Sequence, residues 1–300
     1  MAHAMPQIEG VDHRFIRAGE MGFHVALAGE GEPVLLLHGW PQHWWQWRKL
    51  IPSLAERHRV IAMDLRGFGW SDIAWTGFEK ETMADDVIAV LAELEVDRTR
   101  IVGHDWGAWI GYLLALRRPE LVDRLVAISA PTPWNPASPR NVLSAWRLHH
   151  MLTLASPLGR PFVSRRYYVL SKLKRWSKTR GAIAKNARRI YARDLRASTR
   201  ARASSLCYRT FVMRELLPVI RGRYRPARLK VPTLALYGER DPLMRGHQLT
   251  PPQEGGERFR AQGIPNAGHF PPEEAPDEGL DAVLGFFAQA PTEAREPAAT

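Results

Sequence analysis

Short aliphatic runs alternate with amphipathic stretches along the first 130 residues. "HRFIRA" and "GFHVALAG" flank a glycine-containing turn and predict a hairpin. "PVLLLHG" and "RVIAMDLRG" are nearly continuous apolar runs and predict buried strands, with "WWQWRKLIPSLAE" between them predicting a helix. The rhythm continues with a helix over 80–95, a strand over 99–103, a helix over 107–118 and a strand over 123–129. Buried strands separated by helices mean a mostly parallel sheet covered on both faces. "APTPWNPASPR" breaks the rhythm, because its prolines exclude continued regular structure, and nearly 90 residues of purely helical pattern follow. A strand returns in "KVPTLALYGERDPL", and "RFRAQGIPNAGHF" with a C-terminal helix completes the sheet. The reading is an α/β core over 1–134 and 230–300 with a helical cap inserted over 135–229, and a tail, "PTEAREPAAT", expected to fray. No internal repeat at solenoid periods is visible.

Composition narrows the class. A chain of 300 residues with 45% apolar content can bury a sizeable core. Its apolar runs fall far short of the roughly 18 residues that span a bilayer. The N-terminus lacks a basic segment followed by an apolar one, and Cys207 is the single cysteine, so a cytoplasmic protein without disulfides is expected. Charge is uneven: residues 140–230 hold 24 of the 42 Lys and Arg against only Asp194 and Glu215, a net +22, which leaves −11 for the remainder. Such a block is either a solvated basic face or a surface for an anionic membrane or an acidic partner. No zinc-ligand spacing or RNA-binding signature accompanies it, which argues against nucleic acid.

Chemistry first appears at "RIVGHDWGAWIGYLLALRRPE". Gly103-His104-Asp105-Trp106-Gly107 fits a sharp strand-to-helix elbow whose middle residue presents its side chain at the sheet edge. A carboxylate at that point is already a nucleophile at neutral pH, suited to attack on a saturated carbon with a strained or good leaving group. The plainer alternative is that Asp105 only caps the following helix. A second turn, His38-Gly39-Trp40-Pro41, ends the strand "PVLLL" and would bring the Trp40 N–H beside the Trp106 N–H as two oxyanion donors, with His38 and Pro41 as candidate substrate contacts. Asp241 in "GERDPL" and His269 in "NAGHF" follow later strands, in the order nucleophile, acid, base. Glu239 and Asp123 compete with Asp241 as the acid, but Glu239 comes one step early in its turn.

The elbow, the HGxP turn, the loop "DLRGFGWSD", Asp241 and His269 together resemble the epoxide hydrolase branch of the α/β-hydrolases over about residues 12–288. The resemblance implies an eight-stranded, mostly parallel sheet and a helical lid whose tyrosines protonate the epoxide oxygen. Tyr208, in "CYRTF", matches the lid's Tyr-Arg motif. At the first lid tyrosine this chain has "AWRLHHMLTLASPLG", which aligns His149 there with His150 next, while Tyr167 and Tyr168 are alternative donors. The implied reaction converts an epoxide to a vicinal diol through an ester on Asp105, hydrolysed by water that His269 activates, with no metal or organic cofactor. A haloalkane or haloacid dehalogenase uses the same carboxylate elbow, and a catalytically silent binding module shares the fold. The expected substrate is a small hydrophobic or lipid-derived epoxide, the basic lid is expected to touch anionic membrane, and a lid-mediated homodimer is compatible with the family.

Overall fold

In the computed structural model, which describes residues 4–135 and 149–289, eight strands form one sheet. They are β1 (Asp12–Ala18), β2 (Met21–Ala28), β3 (Glu32–Leu37), β4 (His58–Met63), β5 (Thr99–His104), β6 (Val122–Ile128), β7 (Thr233–Gly238) and β8 (Phe259–Ile264). Their spatial order is β1-β2-β4-β3-β5-β6-β7-β8. The β1–β2 and β2–β4 pairs are antiparallel and the rest parallel. The chain steps from β3 to β4 on one side and then to β5 on the other, so the carboxyl ends of β3 and β5 flank a topological switch point, where α/β sheets open a crevice.

The core helices are α1 (Ile51–Ala55), α2 (Lys80–Glu93) and α3 (Trp106–Arg117). Between β6 and β7 lie α4 (His149–Ala155), α5 (Gly159–Ser164), α6 (Arg166–Trp176), α7 (Lys185–Asp194), α8 (Ser198–Thr210), a π-helical turn (Phe211–Glu215) and α9 (Leu216–Ile220). After β8 come α10 (Pro271–Glu274) and α11 (Pro276–Phe287). The period-two alternation of β3 sets the layers. Leu35 and Leu37 join the apolar cluster of α2, α3 and the cap, whereas Val34 and Leu36 join that of α1 and α11.

"WWQWRKLIPSLAE" is not one helix. Trp44–Trp47 makes a single 3₁₀ turn capped by the His43 ring, and α1 starts afresh at Ile51. Pro52 is the cause: it has no N–H for the preceding turn and its ring crowds it, so it fits only a helix's first turn. The loop "DLRGFGWSD" has a structural task. The fully buried Asp64 carboxylate accepts from the N–H groups of Trp44 and Trp70 and from His24. Burial would raise its pKa, but His24 first and then His43 and His38 hold it well below the usual carboxylate range.

Two adjacent glutamates tie the cap to the core. Glu273 receives a bidentate Arg48 at 2.6 Å and the Tyr191 hydroxyl at 2.7 Å. Glu274 accepts from the backbone N–H groups of Lys178 and Thr179 in the cap and of Gly268 and Phe270 around the β8 loop. A buried carboxylate with four donors is well satisfied, so it fixes both segments. Among the described residues no helix is long and apolar enough to cross a membrane.

Candidate active site

β5 ends at His104, and the chain turns into α3 through Asp105 at φ 51°, ψ −115°. Its side chain makes no capping bond, so a carboxylate is held in strained backbone for some other purpose. Close approach explains the flanking glycines. A Cβ at Gly107 would lie 2.1 Å from the Leu37 carbonyl oxygen, and one at Gly39 would lie 2.3 Å from Asp105 Cβ. The β3 turn therefore sits against the elbow, and Trp40 N–H donates to Asp105 Oδ1 at 2.9 Å.

The other carboxylate oxygen faces a histidine. His269 Nε2 is 3.5 Å from Asp105 Oδ2, and its Nδ1–H donates to Asp241 Oδ2 at 2.8 Å. Asp241 Oδ1 accepts from the N–H groups of Leu243 and Met244, which fixes the carboxylate that orients the ring. Burial would lower the His269 pKa, but Asp241 first and then Asp105 outweigh it and push it up to about 10. Burial would raise the Asp105 carboxyl, but the neighbouring His269 holds it below its ordinary value. The resting site is thus an imidazolium between two carboxylates.

Above these groups lies a cavity of about 450 Å³, reached by Asp105 and His269 from the core and walled largely by apolar side chains such as Trp109, Phe211, Leu243 and Met244. Tyr208, buried on α8, meets Trp106 edge-on at 5.3 Å and Trp40 at 5.8 Å between ring centroids. Burial, and then the Asp105 charge, raise its pKa well above the ordinary phenol value, so it remains an O–H donor. Arg209 beside it donates to the carbonyls of Ala155 and Ser156, clamping the end of α4.

The model of the alpha/beta hydrolase fold family matches residues 32–276. The chain belongs to the α/β-hydrolase fold family. Within it, a protein named soluble epoxide hydrolase from Corynebacterium sp. (strain C12) is 49% identical over 102 residues, covering 34% of this chain and 36% of that one. Epoxide hydrolase 4 of Homo sapiens is 35% identical over 144 residues, covering 46% and 38%. The chain thus matches between about a third and a half of the length of the first curated relatives. A solved structure of the epoxide hydrolase CorEH without ligand superposes with a TM-score of 0.80 at 29% identity, covering 93% of this chain and 99% of that one.

The fold unites most of the residues singled out from sequence: Asp105, Trp106, Tyr208, His149 and His269 line one cavity, and Trp40 and Asp241 bond directly to two of them. His38 and Pro41 need correction, since neither lines that cavity. His38 is buried beneath it, donating from Nδ1 to the Gly39 carbonyl and accepting at Nε2 from Leu65 N–H, so it holds the turn; Pro41 is buried within that turn. The two lid histidines differ. His149 is exposed on the cavity rim, whereas His150 is buried with its ring 5.8 Å from Tyr208 and 4.7 Å from Trp176. Tyr167 lies exposed, away from the cavity lining, and Tyr168 is also absent from it.

Three contributors carry no sequence signal. His104 donates from Nε2 to the His269 carbonyl at 2.8 Å, tying elbow to base loop; burial and the His269 charge lower its pKa to about 4, so it is neutral. Ser129 lines the cavity at φ 53° with a buried hydroxyl that has no hydrogen-bond partner among the described residues. Lys80 is fully buried at the start of α2, its Nζ 4.5 Å from the Trp106 ring centroid and donating to the carbonyls of Phe78 and Cys207. Phe211 N–H, which would bond Cys207 in a regular α-helix, bonds Tyr208 instead at the π turn. A lysine therefore meets the carbonyl next to the candidate acid.

Proposed function

We propose that the protein is an epoxide hydrolase, adding water across an epoxide to release a vicinal diol. The observation that carries this reading is a carboxylate at the elbow, 3.5 Å from a buried histidine and facing an apolar cavity that also holds a phenol. In the first step Asp105 Oδ2 attacks a ring carbon as the carbon–oxygen bond opens. Tyr208 donates its proton to the departing oxygen, giving a hydroxyalkyl ester. His150 is assigned as the second donor, since its ring is buried against Tyr208 whereas His149 is exposed.

Ester formation removes the Asp105 charge, one of the two that hold the proton on His269. The His269 pKa falls, its proton passes to the Tyr208 phenolate directly or through solvent, and the neutral ring becomes a base when one is required. His269 Nε2 then takes a proton from water, whose oxygen adds to Asp105 Cγ. The tetrahedral oxyanion is held by the N–H groups of Trp40 and Trp106, and collapse expels the diol and regenerates the carboxylate. The proton of the added hydroxyl passes to the departing oxygen, and the cycle closes with Tyr208 neutral and His269 again protonated.

A dehalogenase is the second reading, supported by the Trp106 indole, which is buried on the cavity wall next to Asp105 and beside Tyr208. Intact-mass spectrometry of His269→Ala separates the two. Incubated with styrene oxide, a fatty epoxide or a haloalkane, the variant is expected to gain the mass of a whole epoxide, and Asp105→Asn added to it should abolish the gain. An adduct from the haloalkane alone would establish the dehalogenase, and no adduct from any compound would sink the ester route and leave a binding module.

A further inference from the structure

Of the eight large apolar side chains most exposed among the described residues, six lie on the cap. Three form a row on the π turn and α9: Met213, Leu217 and Ile220 are 75%, 54% and 49% exposed, at spacings of four and three residues that place them along one side of a helix. None of the five residues of α9, "LLPVI", is buried. Leu152 on α4 is 63% exposed. Leu152 and Ile220 both line the cavity, so apolar side chains continue from its interior into solvent. A ridge of this kind at a mouth marks an interaction surface.

The charge beside it says what the surface meets. Residues 214–230 contain Arg214, Arg221, Arg223, Arg225, Arg228 and Lys230 against the single acid Glu215. Arg214 and Arg223 pair with Glu79 and Glu81 of the core, while Arg221, which follows Ile220 directly, Arg228 and Lys230 are exposed. Apolar side chains on one helix side with arginines at its end match a bilayer interface: the former enter the acyl boundary and the latter meet anionic headgroups. An acidic protein would match the arginines but not the solvent-facing Met213 and Leu217.

We infer that the cap docks on anionic lipid through the ridge Met213–Leu217–Ile220, with the cavity mouth against the bilayer. Apolar substrates dissolved in lipid then reach Asp105 without crossing water. The docking itself does not depend on the epoxide reading, because it is read without turnover.

The test is co-sedimentation of the full chain with vesicles of phosphatidylcholine alone and of phosphatidylcholine mixed with phosphatidylserine. Binding to the mixed vesicles is expected to be at least about tenfold tighter and to weaken as salt is raised. Met213→Ser with Leu217→Ser should reduce it by a similar factor while leaving turnover of a water-soluble epoxide unchanged, since neither residue lines the cavity. Arg221→Glu should weaken binding independently. Equal binding to the two vesicle types would overturn the proposal. So would loss of binding in Arg221→Glu with none in the serine pair, which would mean a purely ionic contact. A concentration-dependent dimer in light scattering, abolished by the serine pair, would assign the ridge to a second copy of the chain and overturn it equally. Failed ester trapping would leave the docking result standing, so the two readings fail separately.

Discussion

Asp105, Asp241 and His269 stand on turns after strands of one sheet, whereas Tyr208 and His150 stand on cap helices that reach the site from above. The first group is held by backbone hydrogen bonds that leave it little freedom: strained backbone at Asp105, two backbone donors on Asp241, and the Trp176 carbonyl, His104 and Glu274 around the His269 loop. The second group is held by ring packing and by a few ties to the core, Tyr191–Glu273 and Lys80–Cys207 among them. Bond-making steps tolerate little displacement, and the mechanism proposed above places them where backbone hydrogen bonds define position.

The comparison breaks most visibly if a cap variant behaves like a core variant. Tyr208→Phe is expected to lower the rate of ester formation by about 10²- to 10³-fold, the usual effect of losing a donor to developing charge, with no accumulation of ester. His150→Leu should add a further loss and His149→Leu little. Single-turnover kinetics with mass detection checks both points. Accumulated ester in Tyr208→Phe would mean that the phenol serves the hydrolytic step, and a larger loss in His149→Leu would reverse the assignment of the second donor.

A smaller effect is expected where the halves are joined. Lys80→Met removes a buried cation 3.7 Å from Glu215 Oε2 and leaves two carbonyls without that donor. Breaking one side of such a pair costs about 3 kcal/mol, read as a lower urea midpoint. Adding Glu215→Gln should recover part of it, and a strictly additive double variant would show that the two are not coupled.

The gentlest perturbation is a proton. The His269 pKa is raised from 6.5 to about 10 in the folded chain, so its stabilisation is fully present below pH 6.5 and is lost progressively as pH rises toward 10. The melting temperature should fall over that window in the parent and less in His269→Gln. Parallel curves would show that the two carboxylates do not hold the proton.

Local pattern carried a good deal of this. The apolar runs marked the strands, and the glycines of "GHDWG" marked the elbow, because only glycine admits the contacts at Gly107. It misled at His38, where a polar residue beside a candidate oxyanion turn resembled a substrate contact; only its two backbone partners reveal the structural task. It was silent on Lys80, which reads in sequence as an ordinary residue at a helix start, and on Ser129, whose positive φ has no local cause in "ISAPT".

Turn chemistry and hydrophobic period, set within a few residues, fix the order of strands and helices, the helical insertion and the places of Asp105, Asp241 and His269 on turns after strands. Tertiary structure alone decided which lid histidine is buried against Tyr208, which carboxylates surround His269, that a lysine lies under Trp106, and that the exposed apolar residues of α9 border the cavity mouth. Those facts arise between residues 26 to 164 positions apart, where no periodicity reaches and only packing brings side chains together.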